Sequence, residues 1–203
     1  MKRLLFILGL FVCIGLHAQN DILPEIEKGN AAYNTIQGDF TQTKTLAAKG
    51  TKVQSEGMLY ISGDHQMAQH YQAPSADVLI INGSDFYMVR GKKKNKFNTD
   101  KNKTMRSLRN TLLYCVHGKP AALAAENGAE ITAVQKSDGY EVTLVSTKKT
   151  ARGYAKIVLL YDLKTKLLTR MQMNEYNGNS TLYQMSGLRT NQPIDASVYV
   201  IPD

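Results

Sequence analysis

Residues 53–89 read VQSEGMLYISGDHQMAQHYQAPSADVLIINGSDFYMV. Side chains alternate along VQSEGMLYIS and QMAQHYQ, and the runs end at Gly, Pro, Ser or Asp, the pattern of β-strands separated by turns. Val78–Ile81, Asn82-Gly83 and Phe86–Val89 then spell a hairpin, because Asn-Gly is the pair that best tolerates positive φ in a tight turn. Three or four strands in meander order predict an antiparallel sheet.

Working outward, DFTQTKTL (39–46) is a further strand. Upstream, Ile22, Ile26, Tyr33 and Ile36 recur at helical spacing, so an amphipathic helix is expected over Asp21 to Gln37, capped by Asn20 or Asp21. Downstream, a lysine-rich loop leads into a second helix over 104–117, with Met105, Leu108, Leu112 and Cys115 or Val116 on one side, and Pro120 opens a short third one, AALAAE. The remainder is strand: AEITAVQK, YEVTLVST, AKIVLLYD, LLTRMQMNEY, STLYQMSGL and finally SVYVI. About ten strands and three helical pieces make an α+β protein built on one curved antiparallel sheet. Several strands are apolar on both faces; Leu59 and Ile61 oppose Met58 and Tyr60. A sheet with one wet face would alternate cleanly, so the helices are expected to lie across the mouth of a bent sheet. Its interior is either a filled core, which composition favours, or an apolar cavity for a ligand.

The chain of 203 residues is 43% apolar and 21% charged, the balance of a globular protein rather than a disordered one. Its start is different. Lys2 and Arg3 precede thirteen uncharged residues, LLFILGLFVCIGL, and then His17-Ala18. That is the pattern of a secretory signal peptide over 1–18, leaving one domain over 19–203. Thirteen residues rise only about 20 Å as a helix, short of the roughly 30 Å hydrocarbon core, so a membrane anchor is the poorer reading. Loss of Lys2 and Arg3 lowers the formal charge from +8 to +6. Cys115 then stands as a single cysteine, to be read as a small buried hydrophobe.

No nucleophile elbow, zinc-protease helix, phosphate-binding loop or paired CxxC is present, so no catalytic residue and no metal or cofactor site is assigned. His65, His70 and His117 match no metal spacing, and two residues on a helix point Cys115 and His117 apart. The basic loop is the one strongly charged feature. Arg90, Lys92, Lys93, Lys94 and Lys96 open a run of nine cations that Asp100 alone opposes. In an exported protein such a patch suits an anionic membrane surface or a protein partner rather than nucleic acid; a merely solubilising loop is the alternative.

The succession IQGDFTQTKT, VQSEGMLYIS, QMAQHYQAPSADVLIINGSDFYMV and the closing LRTNQPIDASVYVIPD resembles the outer-membrane lipoprotein carrier family, LolA, over most of the chain after residue 18. The resemblance implies an unclosed half-barrel with about three helices capping its concave side, and an apolar cavity between them. It also implies a periplasmic, monomeric carrier that is not an enzyme. Such a carrier takes acylated lipoproteins from an inner-membrane ABC-type complex to an outer-membrane acceptor or the membrane itself. A lipid-binding, sensor or interaction domain on the same half-barrel is the alternative. Strand parity puts Leu59, Ile61, Met67 and Tyr71 toward the cavity, with Phe40, Leu79 and Phe86 beside them and Leu108 and Leu112 on the lid; an ordinary core is the plainer reading of each. Family members carry an arginine that ties lid to barrel, and then an aromatic residue in the next strand. Here Gly63 and Met67 hold those positions, which puts the closed-lid mechanism in question.

Overall fold

Alternating stretches from residue 35 to residue 190 become eleven strands of one antiparallel sheet in the computed structural model, which describes residues 18–148 and 153–201. The segment read as a signal peptide lies outside those residues except for Ala18. The strands are β1 (Thr35–Leu46), β2 (Thr51–Ser62), β3 (Gln66–Ala73), β4 (Val78–Asn82), β5 (Asp85–Arg90), β6 (Lys93–Asn98), β7 (Ala129–Lys136), β8 (Gly139–Ser146), β9 (Tyr154–Tyr161), β10 (Leu168–Glu175) and β11 (Ser180–Thr190). Their order is β6-β5-β4-β3-β2-β1-β11-β10-β9-β8-β7, two meanders joined by β1 and β11. The edges β6 and β7 do not pair, so the curved sheet is an unclosed half-barrel. Three helices accompany it: α1 (Ala18–Asn30), α2 (Lys103–Val116) and α3 (Pro120–Asn127). Ile22 and Ile26 of α1, Leu112, Cys115 and Val116 of α2, and Leu123 of α3 share one core with the concave face of the sheet.

Four expectations need correction. The first helix ends at Asn30 rather than Gln37, because the Asn30 side chain donates to the Ile26 carbonyl (3.0 Å) and the Lys166 carbonyl (2.6 Å). Ile36 is already in β1, facing Ile61 and Thr190, and both proposed caps, Asn20 and Asp21, lie inside the helix. In the hairpin Asn82 pairs with Asp85, so the tight turn is Gly83-Ser84, with positive φ at Gly83 alone, as a type II′ turn requires. The lysine-rich loop is strand β6, paired with β5 from Asp85–Asn98 to Arg90–Lys93. Last, SVYVI is no strand. Ala196–Tyr199 forms a single 3₁₀ turn that Asp195 caps by accepting from the Ser197 amide (2.8 Å).

That closing turn explains why β3 to β5 are apolar on both faces. It lays Val198, Tyr199 and Ile201 over the convex face of β3–β5, where Ala68, Val78, Ile80 and Val89 form a second, smaller core. His70, on that face, bonds through Nε2 to the Val198 carbonyl at 2.7 Å. Gly57 lets β2 and β3 come close at a register shift, since a Cβ there would stand 2.1 Å from the His70 carbonyl oxygen.

Candidate functional site

Strand parity, carried through the observed register, assembles the concave face. Ile36, Ile61, Met67, Ile81, Phe86 and Phe97 form one row across β1 to β6, and Leu59, Gln69, Leu79 and Met88 form the next. On the other half, Tyr183, Met171, Leu159, Val142 and Ala133 continue from Gln42, and Thr181, Met173, Ile157, Leu144 and Ile131 from Lys44. Every residue expected to line a cavity is here. Phe40, Leu59, Ile61, Met67, Phe86 and Leu112 are buried in the main core, and Tyr71, Leu79 and Leu108 pack against it.

These side chains fill the space they enclose. Between Val116 of α2 and the β1–β2 floor only about 10 Å³ remains. The open volume lies farther along, between α2 and the start of β9, where Met105, Leu108, Tyr154 and the Lys103 and Glu175 side chains border a groove of about 400 Å³. A second hollow of about 190 Å³ shares Ser107 and Tyr154 with it and runs on to Leu144 and Ile157. Leu108 is the one expected residue that borders the groove.

Sequence reading missed two features of this face. Met67, Met171, Met173 and Met185 are buried in the core and Met88 and Met105 pack on it, so six of the eight methionines gather there. Extending the parity argument into β10 and β11 would have found them. The second is a polar cluster within the apolar trough: Gln42 Nε2 donates to the Tyr183 hydroxyl, Tyr71 donates to Gln69 Oε1 (3.4 Å), and Phe40 meets the Tyr71 ring edge-on at 5.0 Å. Burial first, and then the neighbouring phenol, push Tyr71 far above the usual tyrosine range; burial likewise raises Tyr183, so both stay neutral hydrogen-bonding groups.

The helix above the trough is tied down. Asn102 accepts from the Met105 amide (3.1 Å) to cap α2. One turn on, Arg106 donates through Nε to the Thr99 carbonyl (3.0 Å), and Arg109 Nη1 reaches Thr99 Oγ1 (2.6 Å) and the Gly83 carbonyl (3.2 Å). At the other end, Lys119 and Asp64 approach to 3.6 Å across a polar cleft beside Gly63. Gly63 itself makes no lid contact through a side chain; Arg109 supplies one from the helix instead.

The basic patch divides between two faces. Lys96 is on the convex side, paired with Asp85 at 2.9 Å and lying over the Tyr87 ring at 5.1 Å. Lys94 shares that face, Lys92 stands exposed in the β5–β6 turn, and Arg90 and Lys93 are on the concave side. Cys115 is fully buried and its thiol is pushed well up by burial. Among the described residues no three His, Cys, Asp or Glu side chains come together as a metal site, and no helix is long and apolar enough to cross a membrane.

The profile of the family described as outer membrane lipoprotein carrier protein LolA matches residues 31–202, and the chain belongs to that family. Members of this family are carrier or binding proteins. No curated protein sequence matches the chain. Among solved structures it is similar to an uncharacterized conserved protein from Thermus thermophilus, with 11% identity, TM-score 0.53, and coverage of 90% of this chain and 93% of that one. It is also similar to MucB, with 15% identity, TM-score 0.53, and 93% and 64% coverage. A DUF1329 family protein from Desulfovibrio piger follows, with 9% identity, TM-score 0.51, and 90% and 96% coverage. At these identities the likeness is one of fold.

Proposed function

We propose that this protein is a periplasmic carrier of acylated lipoproteins, holding their acyl chains between the concave face of the half-barrel and α2. The observation that carries the reading is the methionine-rich interior. Unbranched thioether side chains repack with little strain, so a core that is filled without cargo is able to make room for hydrocarbon once α2 lifts. The groove beside Met105 and Leu108 is the entry. Each methylene shielded from water is worth about 0.8 kcal/mol, so crossing an aqueous compartment needs such a container. Membership of the carrier family supports donation by an inner-membrane ABC-type complex and delivery to an outer-membrane acceptor or to the anionic membrane itself. The exposed Lys92 and Lys94 are suited to meeting either surface.

Native mass spectrometry of the protein purified from its own periplasm, with extraction of what it holds, tests this. An acylated protein or peptide bound one to one is the expected result. Leu108→Asp, at the half-buried rim of the groove, should abolish retention while circular dichroism stays unchanged; Met67→Asp should also abolish retention but places a charge in the core, so the rim variant decides. An empty protein that also ignores added acylated peptide overturns the carrier reading and leaves a sensor or interaction domain.

A further inference from the structure

We infer that the open end of the trough is a headgroup site for acyl lipids or lipid anchors that carry a negative charge, with Arg90 and Lys93 as its cations. The inference rests on the carrier reading above and adds the class of cargo. Sequence alone groups Arg90 and Lys93 with Lys94 and Lys96 as one surface patch. The sheet separates them. In β5, Phe86 and Met88 belong to the main core while Tyr87 and Val89 belong to the convex one, so Arg90 falls on the concave side. In β6, Phe97 packs in the main core, which puts Lys93, its partner across from Arg90, on the same side. Lys96 over Tyr87 and against Asp85 marks the opposite face. Burial dominates at the phenols of Tyr71 and Tyr183, and the smaller opposing pull of the Arg90 charge on both is consistent with its place on this side.

The surroundings suit an acyl lipid rather than a free anion. Lys44 lies on the concave side of β1, and the exposed concave Val53 is paired with it. Below this rim come the neutral polar groups of Gln42, Tyr71, Tyr183 and Gln69, able to meet ester or amide carbonyls, and below those the apolar rows and methionines. The cations thus border the hydrogen-bonding groups, and both adjoin the hydrocarbon surface, so headgroup, linkage and chain each have a matching partner on this face. Two carboxylates belong to this end: Asp77, whose Oδ1 accepts from the Gly91 amide at 3.2 Å, and Glu175, which borders the groove beside Lys103. With Arg90, Lys93, Lys44 and Lys103 against those two, charge complementarity commits the site to an anionic head.

The test compares ligands with identical acyl chains and different heads. Binding of a phosphatidylglycerol, a phosphatidylcholine and a diacylglycerol to the purified protein is measured at low and at physiological salt. The expected result is a preference of about tenfold for the anionic lipid, reduced by salt. Arg90→Ser combined with Lys93→Ser should remove the preference and leave diacylglycerol affinity unchanged. The convex pair Lys96→Ser and Lys136→Ser should leave the preference intact. Equal affinity for the three lipids, or the same loss from the convex pair, overturns the headgroup site while the carrier reading stands. Failure to bind any of the three, and acylated peptide as well, overturns both.

Discussion

His117 ends α2, its amide donating to the Leu113 carbonyl at 3.0 Å, while Nε2 is buried without a hydrogen-bond partner. The charges facing it are Asp64, from the β2–β3 turn, and Lys119, from the link to α3. Burial is the larger effect, and Lys119 adds to it; together they hold the imidazole below the ordinary histidine value of 6.5, against the opposing pull of Asp64. The neutral ring is thus favoured in the folded state. As pH falls below 6.5 the unfolded chain takes up the proton first, so stability declines with falling pH until the folded-state value is passed. Thermal melts between about pH 7.5 and 5 should show this decline, and His117→Gln should flatten that part of it; parallel pH profiles for the two proteins would contradict the assignment. Sequence spacing correctly separates His117 from Cys115, but its burial comes from packing against residues far away in the chain. The same holds at Gly63, where local reading finds a missing lid contact and only the tertiary structure reveals Arg109 as another.

At the scale of elements, the proposed entry of cargo requires α2 to lift from the sheet. Its outer turns hold the sheet through few polar contacts, with Arg109 to Thr99 and Gly83 the longest in reach. Arg109→Met keeps the apolar stem and removes the donors, at a cost of about 1–3 kcal/mol for bonds to a charged group. Amide hydrogen exchange should then quicken by about tenfold or more in α2 and stay unchanged in β1, β2 and β11. Uniformly faster exchange would instead mean that the contact supports the whole fold. Helix α2 was legible because Leu108, Leu112 and Cys115 keep helical spacing. Strand β6 was not, because lysines are poor strand formers and KKNKFN carries little alternation. Pairing with β5 overrides that preference, and the lysines in turn discourage further strands from adding to this edge. The first helix was overextended for a related reason: Ile36 fits both periods, and cross-strand partners at Ile61 and Thr190 decide for the strand.

Across the whole molecule, the filled interior and the tied helix would make the proposed entry of cargo a change of state with a native reporter. Cys115 is the single cysteine from residue 19 onward; it is 0% exposed, on the core-facing side of α2, and its carbonyl accepts from the Tyr161 hydroxyl at 2.8 Å. Without ligand a maleimide should label it slowly, since the thiol is shielded and its ionisation suppressed. Binding of an acyl chain under α2 should raise the labelling rate by about tenfold or more. Binding with an unchanged rate would mean that the chain is held without the helix lifting. By itself the sequence determined every strand but β6, the face their side chains take and hence the seven strand residues of the concave core, because period-two alternation is a local property of the backbone; helical spacing added Leu108 and Leu112. Only the tertiary structure decided that this core is filled, that β6 divides the basic patch between two faces, and that the C-terminal turn covers the convex side. Those outcomes depend on which distant surfaces meet and how well their volumes match, and no local pattern in the chain encodes that.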